Sequence, residues 1–420
     1  MSIREALIEN NPWWKYEFKL NFKERELYNK IQKFMSMPHI ISITGIRRVG
    51  KTTLMHKIIV DAIDNGIDPQ NIVYFTFDEF HNIKLKEIFD EYTLLFHKDL
   101  KKGKYLFLFD EIQKLNFWSE QLKRLYDIYS KNIKFIISGS ESLFIQKGFM
   151  ESLAGRLFEF KLNLLSFREY LNFREIEHKP INLYEKELKG LFEEFILSQG
   201  FPELVNIKDK DIIKKYIKES IIEKVIYRDL MQLLNLRDYS LLESLLKIFM
   251  NEPGQIINLS DLASDLGTTR QTISKYITYL ERAFLLRKLY NYSKNTRKIE
   301  RKLKKYYPTI ISPNLLFQDD NLIKSKIFEW CLVIQLNAKY FWRDERKNEV
   351  DIIIKKDDNV IPIEIKYGKI NFSGLKNFLN QFNINIGYIL TSTKEYEKKL
   401  NGKIIRLIPA FKYLLNHQIY

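Results

Sequence analysis

Between about residues 38 and 165, short apolar runs alternate with segments of helical periodicity. The runs are HIISITG, NIVYFTFD, KYLFLFDE, IKFIISGS and RLFEFKL, and their nearly continuous hydrophobicity predicts strands buried on both faces. Segments between them, such as TTLMHKIIVDAI and WSEQLKRLYDIYS, have the period of amphipathic helices. This order predicts an α/β domain over residues 1–165, with a parallel sheet between two layers of helices.

The rest of the chain follows other patterns. From 166 to 238 the strand pattern disappears, and LYEKELKGLFEEFIL and DIIKKYIKESIIEKVIYRDLMQLL predict an all-helical domain. From 239 to 310, three helical segments precede a basic, strand-like stretch. From 311 to 420, a helix precedes the strands FWRDE, EVDIIIKK and VIPIEIKYG, and a further helix and the strand IGYILTS follow. We therefore expect four domains, of which the last is a small α+β domain.

A contiguous motif follows the first predicted strand. Residues 45–52, GIRRVGKT, fit the pattern G-x-x-x-x-G-K-[ST] and lie between the strand HIISIT and the helix TTLMHKIIV. Glycines let backbone N–H groups wrap around phosphates, and the start of a helix adds partial positive charge. We expect Lys51 to reach the β- and γ-phosphates of ATP, and the Thr52 hydroxyl to bind Mg²⁺. The predicted nucleotide contacts in this loop are Gly45, Arg47, Arg48, Val49, Gly50, Lys51, Thr52 and Thr53.

A second motif, YLFLFDE, ends an apolar strand with two carboxylates. We expect Asp110 to hold the water shell of Mg²⁺ and Glu111 to polarise the water that attacks ATP. The next predicted strand ends in Ser138-Gly139-Ser140, where a hydroxyl group would sense the γ-phosphate. The two motifs together predict a P-loop ATPase, in which Lys51, Glu111 and Ser138 act on the reaction.

Arg156 precedes the last predicted strand of the α/β domain, in the sequence Ala154-Gly155-Arg156. One interpretation is an arginine finger or sensor, which contributes about 10³–10⁵ in rate where it operates. The other is a solvated surface arginine. The sequence leaves both open.

Residues 259–285 predict a helix-turn-helix. A short helix begins at Leu259, Gly267 interrupts it, and TTRQTISKYITYLERAFLL begins a second helix. Its first turn carries polar side chains suited to base edges and phosphates, among them Thr269, Arg270 and Gln271. The alternative is a domain that spaces its neighbours or docks a protein.

A basic stretch follows the helix-turn-helix. The segment Lys294 to Lys305 contains seven Lys or Arg residues and one Glu, and the whole chain carries a net charge of +15. A hairpin of this composition predicts a winged helix that contacts the phosphates of double-stranded DNA through Lys298, Arg301 and Lys302. If about four such residues neutralise phosphates, log affinity should fall with log salt at a slope of about −3.6.

Three residues near the C-terminus suggest a second metal site. Asp351 starts an apolar strand, and Glu364 and Lys366 lie two residues apart, on one face of the next strand. With Glu329 from the preceding helix, they would hold Mg²⁺ or Mn²⁺ for phosphodiester cleavage. The pattern resembles D-x(n)-E-x-K of the PD-(D/E)XK nucleases. The alternatives are a solvent-facing edge strand and a nuclease-like domain used only for binding.

Nearly the whole chain resembles a prokaryotic family of AAA-like ATPases, abundant in archaea and close to the STAND signalling ATPases. The shared segments are NPWW, GIRRVGKTTL, FDEIQ, SGS, SLAGRLFEFKLNLLSFREYL, QGFPE, YRD, LLRKLYNYSKNTRKIERKLKKYY, FWRDERKNEVDIIIK and VIPIEIKYG. The resemblance implies a P-loop ATPase core over 1–165, a helical lid over 166–238, a winged helix over 239–310 and a PD-(D/E)XK nuclease-like domain over 311–420. It leaves the oligomeric state open.

Two functions remain open from the sequence. The first is an ATP-hydrolysing switch that acts on DNA, with or without cleavage. The second is a STAND-like signalling ATPase whose C-terminal domains bind a protein partner. The single cysteine, Cys331, excludes an intramolecular disulfide and is typical of a reducing interior. The N-terminus lacks a signal-peptide pattern and no apolar run approaches about 20 residues, so we expect a cytoplasmic protein without a membrane contact.

Overall fold

The computed structural model describes residues 1–80, 82–139, 153–224, 240–295, 299, 303–357 and 359–416. These residues form two compact units. The first contains Met1–Leu164, and the second contains the described residues that follow Leu164.

A five-stranded parallel sheet organises the first unit. Its strands are β1 (Ile40–Thr44), β2 (Ile72–Thr76), β3 (Tyr105–Asp110), β4 (Ile133–Gly139) and β5 (Leu157–Lys161), in the spatial order β2-β3-β4-β1-β5. Strand β4 therefore lies between β1 and β3. The three predicted functional segments follow the carboxyl ends of these parallel strands, so they meet at one edge of the sheet. The α/β class and the parallel sheet predicted for this segment are confirmed.

The helices of the first unit are α1 (Ile3–Asn10), α2 (Glu26–Gln32), α3 (Lys51–Asp64), α4 (Leu85–Phe96) and α5 (Trp118–Tyr129). Strands β1 and β3 are buried along their whole length, as their continuous hydrophobicity requires. A core of aromatic and aliphatic side chains, including Phe89, Phe107 and Phe135, packs between the sheet and helices α1, α4 and α5. This core fixes the strands whose ends carry the motifs.

Helices open the second unit: α6 (Phe167–Phe173), α7 (Glu185–Ser198) and α8 (Lys210–Lys215), the last followed by a π-helical turn at Tyr216–Ile222. They pack against later parts of the same unit. The Gln199 side chain donates to the carbonyl of Ile311 and accepts from its N–H, at 3.2 and 2.9 Å. The Arg168 guanidinium donates to the carbonyl of Leu415 at 2.5 Å. The helical segment predicted as a lid is thus hydrogen-bonded to later residues of the same unit, Ile311 and Leu415.

A nine-stranded sheet runs through the rest of the second unit. Its strands are β6 (Gln255–Ile256), β7 (Leu286–Asn291), β8 (Lys304–Pro308), β9 (Tyr340–Arg343), β10 (Glu349–Lys356), β11 (Asn359–Lys366), β12 (Ile386–Thr391), β13 (Tyr396–Leu400) and β14 (Lys403–Pro409). Their order is β13-β14-β12-β11-β10-β9-β7-β8-β6. Strands β7 and β9 pair in parallel, with Tyr290 beside Tyr340. The sheet therefore crosses the boundary predicted at 310/311, and the four-domain division stays a prediction.

The helices of this part are α9 (Ser240–Asn251), α10 (Leu259–Asp265), α11 (Arg270–Arg282), α12 (Pro313–Leu316), α13 (Asn321–Gln335), α14 (Ser373–Phe382) and α15 (Ala410–Asn416). Cys331 lies buried on α13, and burial raises the pKa of its thiol. Among the described residues, no helix has both the length and the apolar character needed to cross a membrane.

Candidate functional site

The loop between β1 and α3 has the backbone of a phosphate-binding loop. A Cβ atom on Gly45 would lie 2.3 Å from the carbonyl oxygen of Leu162, so only glycine fits there. Gly50 has a φ of +96° immediately before the helix, a conformation that side chains with a Cβ rarely adopt. The backbone of the loop therefore explains why both positions of the motif are glycine. Of the other predicted contacts, Val49 is buried, and Arg47, Arg48 and Thr53 are at least partly exposed.

Lys51 opens α3 with its side chain turned back into the loop. Its ammonium group is 2.9 Å from the carbonyl oxygen of Gly45, 3.3 Å from that of Ile46 and 3.9 Å from Glu111 Oε1. The side chain is 5% exposed. A buried ammonium at the mouth of a glycine loop is the group that binds phosphate oxygens in P-loop proteins.

Asp110, at the end of β3, accepts hydrogen bonds from three neighbouring elements. The hydroxyl of Thr52 on α3 donates to Oδ2 at 2.6 Å, and the hydroxyl of Tyr74 on β2 donates to the same atom at 2.8 Å. Ser138 on β4 donates to Oδ1, as does the backbone N–H of Glu111 at 3.1 Å. The strand order β2-β3-β4 makes this convergence possible. The structure thus brings together Lys51, Thr52, Asp110, Glu111 and Ser138.

Glu111 has a left-handed backbone conformation, with φ of +53°. Such a conformation is strained for a residue with a Cβ and is often retained at functional sites. Its Oε2 atom accepts from the Gln113 amide at 2.5 Å, while Oε1 faces Lys51. The turn therefore directs the carboxylate toward the loop, where the sequence predicts that it polarises water.

Three residues that brace this site were not predicted to act in it. The sequence gave no indication that Tyr74 belongs to the site, because this residue lies within an apolar strand. The Arg25 guanidinium donates to the carbonyls of Val49 and Asn163, both at 2.7 Å, and is 4% exposed. The Asn11 side chain donates to the carbonyl of Tyr74 at 2.8 Å and accepts from its N–H at 2.7 Å. Only Asn11 had a sequence indication, as part of the NPWW segment.

These residues fit Mg²⁺ and ATP. Thr52 and Asp110 place a hydroxyl and a carboxylate oxygen 2.6 Å apart, and hydroxyl and carboxylate oxygens are the protein ligands that Mg²⁺ prefers. When bound, Mg²⁺ would neutralise charge on the phosphates. Burial and the nearby Asp110 raise the pKa of Tyr74 above its usual range, so its hydroxyl stays a donor to that carboxylate.

Arg156 does not join this site on its own chain. It precedes β5, where Leu157 is paired with Ile40 at the start of β1, whereas the loop follows Thr44 at the other end. A five-residue strand separates the two edges by roughly 16 Å. The guanidinium instead pairs with Asp127 at 2.9 Å and is 33% exposed. Within this chain, Arg156 therefore lies at the sheet edge opposite the loop, and both interpretations, an arginine finger or sensor and a solvated surface arginine, stay predictions.

The predicted helix-turn-helix corresponds to α10 and α11, which pack against each other. Thr269 caps α11 by accepting a hydrogen bond from the N–H of Thr272 at 3.2 Å. Arg270 and Gln271 are exposed in the first turn of α11. The hairpin β7–β8 follows, but Lys298, Arg301 and Lys302 lie outside the described residues, as does Ser140 of the predicted sensor segment. The DNA-binding assignment of these residues stays a prediction.

One residue of the basic stretch, Lys305, is buried in the structure. Lys305 was counted among the charges of the predicted wing, but it is 5% exposed. Its ammonium group lies 2.8 Å from Glu329 Oε1 and 2.8 Å from Glu349 Oε1. It is also 3.8 Å from Asp351 Oδ1. Lys305 is therefore unavailable to a phosphate backbone.

The predicted C-terminal residues do converge. Asp351 accepts the N–H of Ile365 at 2.7 Å, Lys366 pairs with Glu364 at 2.5 Å, and both carboxylates are 7% exposed. Burial, with Glu364 and Glu329 nearby, raises the pKa of Asp351 well above its usual range. Burial also raises the pKa of Glu364 to about 6.

The lysine changes the electrostatics of this cluster. Burial opposes the charged form of Lys305, but Glu329 and the other acidic neighbours hold its pKa well above its usual range. Burial likewise opposes the charged form of Glu329, yet Lys305 lowers the pKa of that carboxyl. Across the described residues, no group of three or more His, Cys, Asp or Glu side chains could hold a metal ion. The predicted metal ligands therefore lie close together, and the Lys305 side chain lies among them.

Comparison with known protein families agrees with the geometry at β1 and β3. Residues 37–171 match a model described as an AAA domain. This segment is therefore similar to AAA domains, and we call it the AAA-like domain. Residues 189–309 and 325–413 match models described as domains of unknown function, DUF8612 and DUF4143 respectively. The AAA-like domain is thus followed by two segments for which the family descriptions give no activity.

Relatives with similar sequences occur in archaea and bacteria. An uncharacterised protein of Methanocaldococcus jannaschii is 26% identical over 426 residues, which cover 94% of this chain and 92% of the relative. One from Haemophilus influenzae is 26% identical over 82% of this chain and 86% of the relative. One from Mycobacterium tuberculosis is 22% identical over 82% and 74%. The similarity therefore extends well beyond the AAA-like domain.

Two solved structures show a weaker likeness, both at 14% identity. PCH-2 of C. elegans has a TM-score of 0.26 over 45% of this chain and 52% of that chain. The Hsp104–ADP complex of S. cerevisiae has a TM-score of 0.31 over 80% and 45%. This chain spans about half the length of each.

Proposed function

We propose that this protein is an ATP-binding and ATP-hydrolysing switch. The observation that carries the proposal is the convergence on Asp110 of hydroxyl groups from Thr52, Tyr74 and Ser138, beside the buried Lys51. Groups from two strands and the first turn of the loop helix thus share the carboxylate at the end of β3. A change in what Thr52 and Asp110 bind would therefore be transmitted to β2 and β4.

In this proposal, Lys51 and the loop amides bind the phosphates of ATP, and Thr52 and Asp110 hold Mg²⁺. Glu111 accepts a proton from the attacking water while Gln113 fixes the direction of its carboxylate. Ser138, which donates a hydrogen bond to Asp110, acts as the sensor of the γ-phosphate. γ-Phosphate contacts order and release segments in other nucleotide switches, and we assign the same use to this network.

The test is phosphate release and nucleotide binding by Lys51→Ala. We expect loss of both, because the buried ammonium is the main cation of the loop. Lys57→Ala is the matched control, since Lys57 lies on the same helix but pairs with Asp61. Turnover by Lys51→Ala equal to that of the parent would end the proposal.

We further propose that the switch acts on double-stranded DNA through Arg270, Gln271 and Thr269 and through the basic residues Lys298, Arg301 and Lys302. The exposed first turn of α11 supports this, since such turns contact base edges in helix-turn-helix proteins. Fluorescence anisotropy of labelled duplex DNA at several salt concentrations would test it. Arg270→Ala should weaken binding, and Arg282→Ala, at the other exposed end of the same helix, should not.

If DNA does not bind at physiological salt and does not alter ATP turnover, that result would favour the other function, which is signalling to a protein partner. Metal-dependent cleavage of DNA does not form part of the proposal, because the residues present do not fit a divalent ion at Asp351 and Glu364. Lys305 already lies among the carboxylates that would have to hold it.

A further inference from the structure

A cation of the chain itself lies where the sequence pattern predicts a metal ion. The ammonium group of Lys305 contacts one oxygen each of Glu329 and Glu349 at 2.8 Å and lies 3.8 Å from Asp351. These carboxylates come from helix α13 and strand β10, whereas Lys305 comes from β8. A single positive charge thus joins three elements, with Lys305 separated from its two partners by 24 and 44 residues.

The position of Lys305 is fixed by its surroundings. The side chain is 7% exposed, and Tyr307, on the same face of β8, donates its hydroxyl to the Glu329 oxygen that Lys305 contacts. The Lys305 ammonium also lies 5.6 Å from the centre of the Tyr307 ring. Two carboxylates and an aromatic ring thus surround the ammonium group of a buried lysine.

Two further cations lie beside the acidic side chains of this cluster. Lys366 pairs with Glu364 at 2.5 Å, and Arg343 lies 3.5 Å from Glu349 Oε2. Four carboxylates, Glu329, Glu349, Asp351 and Glu364, therefore face three cations, Lys305, Lys366 and Arg343. A divalent ion bound by both Asp351 and Glu329 would have the Lys305 ammonium beside it, because that group lies 2.8 Å from Glu329 and 3.8 Å from Asp351, and like charges repel.

We infer that the ammonium group of Lys305 takes the place of the divalent cation, so that the carboxylate centre of this protein binds neither Mg²⁺ nor Mn²⁺. In this arrangement the cluster is an ionic contact between the hairpin β7–β8 and the residues of α13 and β10. This inference does not depend on the proposed nucleotide switch. It also predicts a latent site: in their present positions these carboxylates form no metal-binding group, but removal of the lysine frees oxygens of Glu329, Glu349 and Asp351 to rearrange around a divalent cation.

One further observation supports the latent site. Oε2 of Glu364 is buried and has no hydrogen-bond partner among the described residues. Once the lysine is absent, this oxygen and those of Asp351 and Glu349 supply the hard carboxylate ligands that Mg²⁺ and Mn²⁺ favour.

The experiment is a titration of the full-length, nucleotide-free protein with Mn²⁺, in which electron paramagnetic resonance measures the free ion. The first pair is the parent and Asp351→Asn, which keeps an acceptor for the N–H of Ile365. We expect the two titrations to superimpose. A Mn²⁺ ion bound by the parent and lost in Asp351→Asn would overturn the inference, and this comparison does not require any lysine variant to fold.

The second arm is Lys305→Met, which keeps a long apolar side chain and removes the charge. We expect one new Mn²⁺ site with an affinity at least tenfold above any binding by the parent, and we expect Lys305→Met with Asp351→Asn to lose it. Lys326→Met is the matched control, since Lys326 is exposed on α13 and pairs with Glu252. A folded Lys305→Met protein without a new site would overturn the inference. Circular dichroism establishes that each variant is folded.

Discussion

Replacing Tyr74 by phenylalanine removes one hydroxyl from the centre of the AAA-like domain and leaves the aromatic ring in place. The hydroxyl donates to Asp110 Oδ2 at 2.8 Å, and the residue is 5% exposed. Thr52 also donates to that oxygen, so Asp110 keeps one of two hydroxyl donors there. The variant therefore measures what Tyr74 adds to the orientation of the carboxylate.

The magnitude follows from the kind of bond that is lost. A hydrogen bond to a charged group contributes a net of about 1.5–3 kcal/mol, against about 0.5–1.5 kcal/mol between neutral groups. If this orientation is needed in the transition state, the loss corresponds to about 10- to 100-fold in kcat, because about 1.4 kcal/mol is tenfold in rate. We expect a smaller change in KM, because the loop and Lys51 still bind the phosphates.

The assay is steady-state phosphate release at several ATP concentrations, together with thermal unfolding. Tyr92→Phe is the matched control. Tyr92 is buried in the same core, and its hydroxyl donates to a neutral acceptor, the carbonyl of Gln70, at 2.7 Å. Both variants lose a buried hydroxyl, so both should unfold at a lower temperature, but only Tyr74→Phe should lose turnover.

The reasoning would be refuted by equal turnover in the two variants. Such a result would mean that Thr52 and Ser138 are sufficient to orient Asp110. A loss of nucleotide binding in Tyr74→Phe, with kcat unchanged at saturation, would also contradict the expected division between kcat and KM.

Three further predictions concern the same domain. Glu111→Gln should bind ATP but lose about 10²–10⁴-fold in turnover, because the amide cannot accept a proton from water; parallel binding and phosphate-release assays would show this. Gly45→Ala should lower the free energy of unfolding by about 1–3 kcal/mol, since its Cβ would lie 2.3 Å from the Leu162 carbonyl, and denaturant titration measures the change. Arg156→Ala should change turnover less than twofold, because its side chain pairs with Asp127 at the sheet edge opposite the loop; a tenfold loss of turnover would assign it a role in the reaction.

The sequence predicted the parts of the site that lie in contiguous motifs. Lys51 and Thr52 follow a glycine loop, and Asp110 and Glu111 end an apolar strand, so local pattern and strand order sufficed to place them. Arg25 could not be predicted, because its two carbonyl partners lie 24 and 138 residues away in the sequence. A cationic side chain that braces backbone carbonyls leaves no periodic pattern.

The C-terminal cluster shows a different limit. The spacing of Asp351, Glu364 and Lys366 predicted that these residues would meet, and they do. The pattern gave no indication of Lys305, because it closes a run of exposed-looking basic residues whose composition favours phosphate contact. Only the pairing of β7 with β9 brings this lysine to the carboxylates.

The nine-stranded sheet also bears on how such a chain can evolve. Strand β9 is bordered by β7 on one side and β10 on the other, and the Asn291 side chain bonds to both the N–H and the carbonyl of Arg343. Recombination that replaced residues 239–310 with a foreign module would leave β9 as an open edge, which invites aggregation. It would also leave the partly buried carboxylates of Glu329 and Glu349 without their lysine. The two segments that match models of unknown function are therefore expected to be inherited together, as one module.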